Sequence, residues 1–321
     1  MLRKNKWFYV IGLIFILILI SWFGMQSIES SFYKKEDIHP EEKYRIGVSY
    51  ENLENEYVKE LQKAIRQKAE ELHVTIIEED GRGKAENQVT QVENFIFDEV
   101  DAIILNPYEK DGTVLAVKKA KEAKIPLIVL SGEVENLDEA TAYVGSNDIV
   151  AGRMETELIV NEMGGEGNVV ILHMQGGSSV QISRDEGIKN VLSQYPDIHI
   201  IAEQTANGIR EQAKYVMGKW LKTLPEDVNA VIAQNDAMAL GASDAIKEAR
   251  IKKEIHVVGI DAISDSVKAV KDGRMLGTIF QDSEKQGYMA VELALKAAQG
   301  DEIDHVNYSP FRIITQKSYI K

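Results

Sequence analysis

Two hydrophobic patterns divide the chain. Trp7 to Met25 is a run of nineteen residues without a charge, dominated by Ile, Leu and Phe. From Tyr44 onward, short runs dense in β-branched residues alternate with longer stretches in which apolar side chains return every three or four positions. Leu53, Tyr57, Leu61, Ile65, Ala69 and Leu72 follow one such helical stripe, and Val114, Val117, Ala120 and Ala123 follow another. Strands are predicted at 44–49, 74–78, 102–105, 127–130, 142–145, 169–173, 199–203, 230–233, 256–260, 276–280 and 311–315. Runs such as Ala102-Ile103-Ile104-Leu105 are apolar throughout rather than alternating, as strands covered on both faces should be. The alternation predicts an α/β fold with parallel sheets flanked by helices.

A helix of nineteen residues rises about 28 Å, enough to cross a bilayer core. Arg3, Lys4 and Lys6 precede the run with no acidic residue among them, which places the N-terminus in the cytoplasm and the rest of the chain outside. Trp7 and Trp22 sit near its ends, as interfacial anchors would. The rival reading is a cleaved secretory signal, which wants a shorter apolar stretch and small residues at a cleavage site. Ser21-Trp22-Phe23-Gly24-Met25-Gln26 offers no such pair, and a lipoprotein signal needs a cysteine that the chain lacks. The expectation is therefore a single-pass anchor in the cell membrane within residues 1–35, then a polar linker at 36–43.

Composition narrows the function. There are 37 basic and 51 acidic side chains, a formal charge of −14. Nucleic acid is not an expected partner, since phosphate binding needs a basic surface. Residues 36–321 alone carry 32 basic and 50 acidic side chains, an acidic exterior that does not cling to anionic headgroups. The absence of cysteine excludes disulfides, thiol catalysis, cysteine-ligated zinc and iron–sulfur clusters. A length of 321 residues is enough for two compact units.

Sheets of this kind bind ligands beyond the carboxyl ends of their strands, so the polar residues there are the candidates. They are Asn55, Tyr57, Asn106, Ser131, the stretch Gln175 to Ser179, Asn235, Asp236, Asp261 and Gln281. With an arginine and an aromatic plane, these amides, carboxylates and hydroxyls suit a polyhydroxylated ligand, because each can engage neighbouring hydroxyls as donor or acceptor. Singly, each also reads as local structure: Asn106-Pro107 as a turn opening, Asn235 as a helix N-cap, Asp261 as the cap of a helix beginning near Ile263.

Enzyme signatures are missing. No G-x-G-x-x-G or P-loop follows the first strand, and Gly81-Arg82-Gly83 lacks its third glycine. No G-x-S-x-G is present. Gln175-Gly176-Gly177-Ser178-Ser179 could cradle an anion, but reads better as a ligand-facing loop. The six histidines are scattered without metal-ligand spacing, and His173 and His256 fall inside strands as core residues would. No cofactor, metal or catalytic group is expected.

Several motifs taken together resemble the ribose-binding class of periplasmic sugar-binding proteins. They are Ala233-Gln234-Asn235-Asp236-Ala237-Met238-Ala239-Leu240-Gly241-Ala242, then Val257-Val258-Gly259-Ile260-Asp261, Ile104-Leu105-Asn106-Pro107, Val144-Gly145-Ser146-Asn147-Asp148 with Gly152, Ser183-Arg184-Asp185-Glu186-Gly187, and Gly277-Thr278-Ile279-Phe280-Gln281. The resemblance implies two Rossmann-like lobes joined by a three-crossover hinge, closing around a sugar. One lobe would be residues 44–146 with 282–307, the other 147–281 with 308–321. It further implies that Asn55 and Asn106 bond hydroxyls, that Tyr57 stacks on the sugar face, that Arg184, Asn235 and Asp261 answer from the second lobe, and that Gln281 lies at the hinge. The LacI-type regulators share the fold, but carry an N-terminal helix-turn-helix where this chain has an apolar segment.

The chain departs from that class where Ser131-Gly132 stands in place of an Asp-Arg pair, and where Val58, Gly208 and Ile260 replace aromatics. A wider, less aromatic pocket follows, with Glu133, Tyr108 or Asn207 as candidate compensations, and with another pentose, hexose, polyol, furanosyl signal molecule or non-sugar solute as open as ribose. The expected partners are the permease of an ABC importer or a membrane histidine kinase, which the closed form would engage by differential affinity.

Overall fold

The computed structural model describes residues 44–224 and 226–319, so the expected membrane segment at 7–25 and the linker at 36–43 lie outside the described residues. Among the described residues no helix is long and apolar enough to cross a membrane. The chain begins β1 (Arg45–Tyr50), α1 (Glu56–Glu71), β2 (Thr75–Asp80), α2 (Ala85–Phe97), β3 (Ala102–Leu105), α3 (Val114–Ala123), β4 (Leu127–Ser131) and β5 (Ala142–Gly145). It continues α4 (Asp148–Met163), β6 (Gly167–His173), α5 (Ser179–Leu192), β7 (Ile198–Thr205), α6 (Arg210–Thr223), β8 (Ala230–Ala233), α7 (Asp236–Ala249), β9 (His256–Asp261), α8 (Ser264–Lys271) and β10 (Gly277–Phe280). Then come α9 (Ser283–Ala298), β11 (Val306–Tyr308) and β12 (Arg312–Thr315).

Two six-stranded sheets result, ordered β11-β5-β4-β3-β1-β2 and β12-β10-β9-β8-β6-β7. Successive residues of a strand point to opposite faces, and both faces are covered. In the first sheet Ile46, Val48, Ile104 and Ile128 pack on Leu61 and Ile65 of α1 and Val291 of α9, while Ile103, Leu105 and Val129 pack on Phe95 of α2 and Val117 of α3. In the second, Val170, Leu172 and Val231 meet Met217 of α6 and Met238 of α7, whereas Val169, Ile171 and Ile232 meet Ile159 of α4 and Ile188 of α5. Each such fully buried aliphatic side chain contributes about 1.5–3 kcal/mol, and their alternation explains why the strands read as unbroken apolar runs.

Two features of the sheets differ from the sequence-based expectation. The first sheet gains β11, a three-residue edge strand with two exposed side chains that carries too little pattern to be read. The second sheet is not wholly parallel, because β12 runs antiparallel to β10. The reason is topological. Strands β5, β10 and β11 all run into the junction between the sheets, so β12 leaves that junction and must run back along its neighbour.

The chain passes between the sheets three times, near 146–147, 281–282 and 309–311. These passages are stitched together: Ser146 Oγ donates to the Ser309 carbonyl at 2.6 Å, and Gln286 Nε2 donates to Ser146 Oγ at 3.0 Å. The carboxyl ends of the parallel strands therefore face one another across a cleft floored by the hinge.

Candidate functional site

Of the residues singled out from the sequence, eight line one cavity in that cleft, whereas Asp236 and the stretch 175–179 do not. Asn55, Tyr57, Asn106 and Ser131 come from the first lobe, Arg184, Asn235 and Asp261 from the second, and Gln281 from the hinge. The cavity is about 30 Å³, so the lobes are nearly shut. A larger open groove of about 1300 Å³ lies between α6 and α7, but it draws on one lobe only and lacks this convergence.

The three asparagines are both helix or loop supports and cavity lining. Asn55 Oδ1 accepts from the Tyr57 N–H at 2.9 Å and so caps α1, while Asn235 Oδ1 accepts from the Met238 N–H at 2.9 Å and caps α7. Asn106 Oδ1 accepts from the Glu51 N–H at 3.2 Å, and its Nδ2 donates to the Leu130 carbonyl at 3.2 Å. An amide carries two donors and two acceptor sites, so each keeps part of its capacity for a ligand while its other bonds hold it still. Local support and a site role are thus compatible.

Arg184 is 2% exposed and is held from three directions. Its Nε donates to Asp148 Oδ1 at 2.8 Å, its Nη2 to Gln281 Oε1 at 3.1 Å, and its Nη1 to the Gln234 carbonyl. One guanidinium thereby ties α4, the end of β8 and the hinge together, with two of its five N–H groups left for the cavity. Gly152 and Gly187 make this possible. A Cβ on Gly152 would fall on the Arg184 carbonyl and one on Gly187 on the Ile149 carbonyl, so α4 and α5 approach at backbone contact only with glycine at both places.

Asp261 does not cap the helix after it. No side chain caps that helix; its start is braced instead by Asp236, whose carboxylate accepts from the Ile263 N–H at 3.1 Å, from Thr278 Oγ1 at 2.8 Å and from Ser266 Oγ. Asp261 instead adopts a φ of 123° at the end of β9, and Ser131 a φ of 68° at the end of β4. Side chains pay for such backbone with about 1–3 kcal/mol each, and strain of this kind gathers at functional sites. Burial pushes the Asp261 carboxyl well above the usual range, against the pull of Arg184, and the Asp236 and Asp148 carboxylates push the same way. Behind them, on α4, Glu155 is fully buried with neither oxygen hydrogen-bonded, and burial lifts its pKa strongly.

Sequence reasoning missed Glu51, Met174 and Val180, which also line the cavity. Glu51 and Met174 directly follow β1 and β6, so the same rule about strand ends points at them. Glu51 lies just beyond the expected strand end at 49 but was passed over for Asn55 and Tyr57, and Met174 for its lack of polar chemistry. The Glu51 carboxylate is buried, accepts from Asn55 Nδ2 at 3.0 Å and from Gln175 Nε2 of the opposite lobe at 3.2 Å, and has its pKa pushed up to about 7, chiefly by desolvation. Two further bonds clasp the lobes: the Lys110 N–H donates to the Gly177 carbonyl at 2.9 Å, and the Glu133 N–H to Ser179 Oγ at 2.6 Å. The loop at 175–179 therefore serves the lobe–lobe contact rather than lining the cavity.

Other expectations are corrected. Of the three positions lacking an aromatic, only Val58 borders the cavity; Ile260 packs on Ala151 and Ile279 in the core, and Gly208, at φ 71°, lies against Met174. None of Glu133, Tyr108 and Asn207 lines the cavity. His173 is no apolar core histidine, since Asp185 at 2.8 Å and Glu203 at 3.2 Å grip its two ring nitrogens. Burial opposes its protonation, but the two carboxylates win and hold its pKa above the ordinary value. Among the described residues no cluster of His, Asp or Glu is arranged to hold a metal ion.

Two parallel-rich lobes, a three-strand hinge, and a polar cavity walled from both sides define a two-lobed solute-binding protein. Residues 46–302 match the periplasmic binding protein domain, and the chain belongs to that family. It is 34% identical over 268 residues to the xylitol-binding protein of Mycolicibacterium smegmatis, covering 83% of this chain and 76% of that one. It is 36% identical over 244 residues to a putative rhizopine-binding protein of Rhizobium meliloti, covering 74% and 79%. The structure of an ABC transporter solute-binding protein from Bacillus halodurans with bound myo-inositol superposes with a TM-score of 0.82 at 33% identity, covering 86% of this chain and 95% of that chain. These relatives are binding proteins, not enzymes, and the resemblance to the ribose-binding class holds at the level of the family.

Proposed function

We propose that this protein binds a polyhydroxylated small molecule, a sugar or polyol, between its lobes and presents the closed form to a membrane partner outside the cytoplasm. The observation that carries the reading is the cavity itself. Four amides, a guanidinium, two carboxyls, a serine hydroxyl and a tyrosine from both lobes and the hinge converge on one closed space, with hydrogen-bonding capacity unspent. Relatives named for xylitol and solved with myo-inositol support a polyol over ribose, as does the loss of an Asp-Arg pair at Ser131-Gly132.

The partner is the permease of an ABC importer or the outer domain of a sensor histidine kinase. A single-pass anchor at residues 7–25 would hold the binding domain near either one, raising its effective concentration there. A ligand far above its Kd raises stability by several kcal/mol, so a thermal-shift screen of the full-length chain in detergent, against xylitol, myo-inositol, ribose, hexoses and furanoses, tests the ligand class. A shift with polyols or sugars supports the reading; no shift with any of them overturns it. Fractionation tests the anchor: full-length protein with an intact N-terminus belongs in membranes, and a mature chain starting beyond Met25 would sink that part.

A further inference from the structure

His173 ends β6 with each ring nitrogen on a different carboxylate: Nδ1 meets Asp185 Oδ1 of α5 at 2.8 Å, and Nε2 meets Glu203 Oε2 of β7 at 3.2 Å. A neutral imidazole has one N–H and one lone pair, so it can donate to only one of the two, whereas the imidazolium donates to both. The arrangement is that of a charged ring. The charged groups acting on it are these two carboxylates, and on the far side the neutral amides of Gln181 on α5 and Gln234 after β8 donate to the oxygens of Asp185. Gln234 carries the contact inward. It is fully buried, its Nε2 donating to Asp185 Oδ1 at 2.6 Å and its Oε1 accepting from the Met174 N–H at 2.8 Å. Its main-chain carbonyl accepts from Arg184 Nη1. Met174 and Arg184 line the solute cavity, as does Asn235, the next residue in the chain. A line of bonds thus runs from Glu203, exposed on the edge strand β7, through the His173 ring, Asp185 and Gln234 to the cavity wall.

We propose that His173, as an imidazolium, is a positioning residue for the cleft: it holds Asp185, Asp185 holds Gln234, and Gln234 sets Met174 and Arg184 where the solute meets them. The proposal rests on the solute-binding reading above, but not on which sugar or polyol is bound. When the ring loses its proton, one nitrogen turns a lone pair toward a carboxylate. Either Glu203 swings into solvent and Asp185 keeps a neutral bond of roughly half the strength, or Asp185 itself is released. In both cases the brace behind Gln234 slackens, and the cleft holds its solute less tightly at alkaline pH. Linkage makes the effect reciprocal: a solute gripped better by the protonated form raises the affinity of His173 for its proton by the same factor.

The test uses the full-length chain in detergent, with whichever of xylitol, myo-inositol and ribose raises its melting temperature. By calorimetry the wild-type affinity should fall about three- to tenfold between about pH 6 and about pH 9, the difference between a charge-assisted and a neutral hydrogen bond. His173→Gln, which keeps a hydrogen-bonding side chain without the charge, should bind more weakly at the acid end and lose that part of the slope. Glu51 and Asp261 have raised pKa values of their own, so the difference between the two profiles is what counts. A second readout needs no variant. In protein carrying isotopically labelled histidine, the His173 ring resonance should titrate with a midpoint roughly half a unit to one unit higher when solute saturates the cleft, a shift that a merely structural histidine does not show. Coincident midpoints with and without solute, or parallel affinity profiles for wild type and variant, would overturn the inference while leaving the solute reading intact. If none of the three solutes binds at any pH, the solute reading itself falls and the inference with it.

Discussion

The two walls of the cleft are built on different principles. The second lobe presents a guanidinium whose position is over-determined, gripped by a carboxylate from α4, a carbonyl after β8 and an amide from the hinge. The first lobe presents Glu51, whose carboxylate touches one amide of its own lobe and one that arrives only when the lobes meet. One wall is therefore pre-organised before any solute enters, and the other is completed by closure. This division lets a binding protein hold its site open at low cost and still report the filled state, because the groups that sense closure lie opposite those that anchor the ligand.

The largest effect that would break this contrast is on Arg184. Arg184→Ala leaves Asp148 buried without its counter-charge and strips the hinge amide of its donor, so urea denaturation should show a loss of about 3–5 kcal/mol as well as a severe loss of ligand affinity. An unchanged unfolding midpoint would mean that the second wall is not held by this network.

Next is the pH dependence of the first wall. The ordinary carboxyl value for Glu51 is 4.5 and the folded value about 7, so the folded protein binds this proton more tightly than the unfolded chain. The stability it brings is complete below the ordinary value and is lost as pH rises through about 7, amounting to roughly 3 kcal/mol in full. Melting temperature without ligand should fall over that interval, and Glu51→Gln should flatten the fall. A wild-type profile that rises there would show that Glu51 is ionised in the closed cleft. The smallest effect lies behind the second wall. Glu155 makes no hydrogen bond and is held neutral by burial, so Glu155→Leu should raise stability at neutral pH by about 1–3 kcal/mol in the same assay. A drop instead would show that the carboxyl has a partner that matters.

Much of this site could be read before any coordinates, and for a definite reason. In a parallel α/β sheet the strand ends alone decide which residues reach the ligand, and strand ends are visible as breaks in apolar runs. Asn55, Asn106, Asn235 and Gln281 were legible on that ground. The two motifs that contain Gly152 and Gly187 were legible too, and the structure supplies their reason: backbone contact between α4 and α5 that sets Arg184 in place. Glu51 escaped because nothing in its spacing shows that its carboxyl is buried and meets an amide of the opposite lobe. The antiparallel course of β12 escaped because hydrophobic periodicity carries no information on direction.

The order of strands and helices, the doubly covered sheets and the acidic, cysteine-free character of the chain were all determined by its residues in sequence, since periodicity and composition are local properties. The pairing of Glu51 with Gln175 across 124 positions, the choice of Asp236 rather than Asp261 as the support for α8, and the pairing of the Arg184 guanidinium with Asp148 were decided only in three dimensions. Each is a matter of distance and burial between segments far apart in the chain. Desolvation and counter-charge act through space, and they set the chemistry of this cleft where sequence spacing is silent.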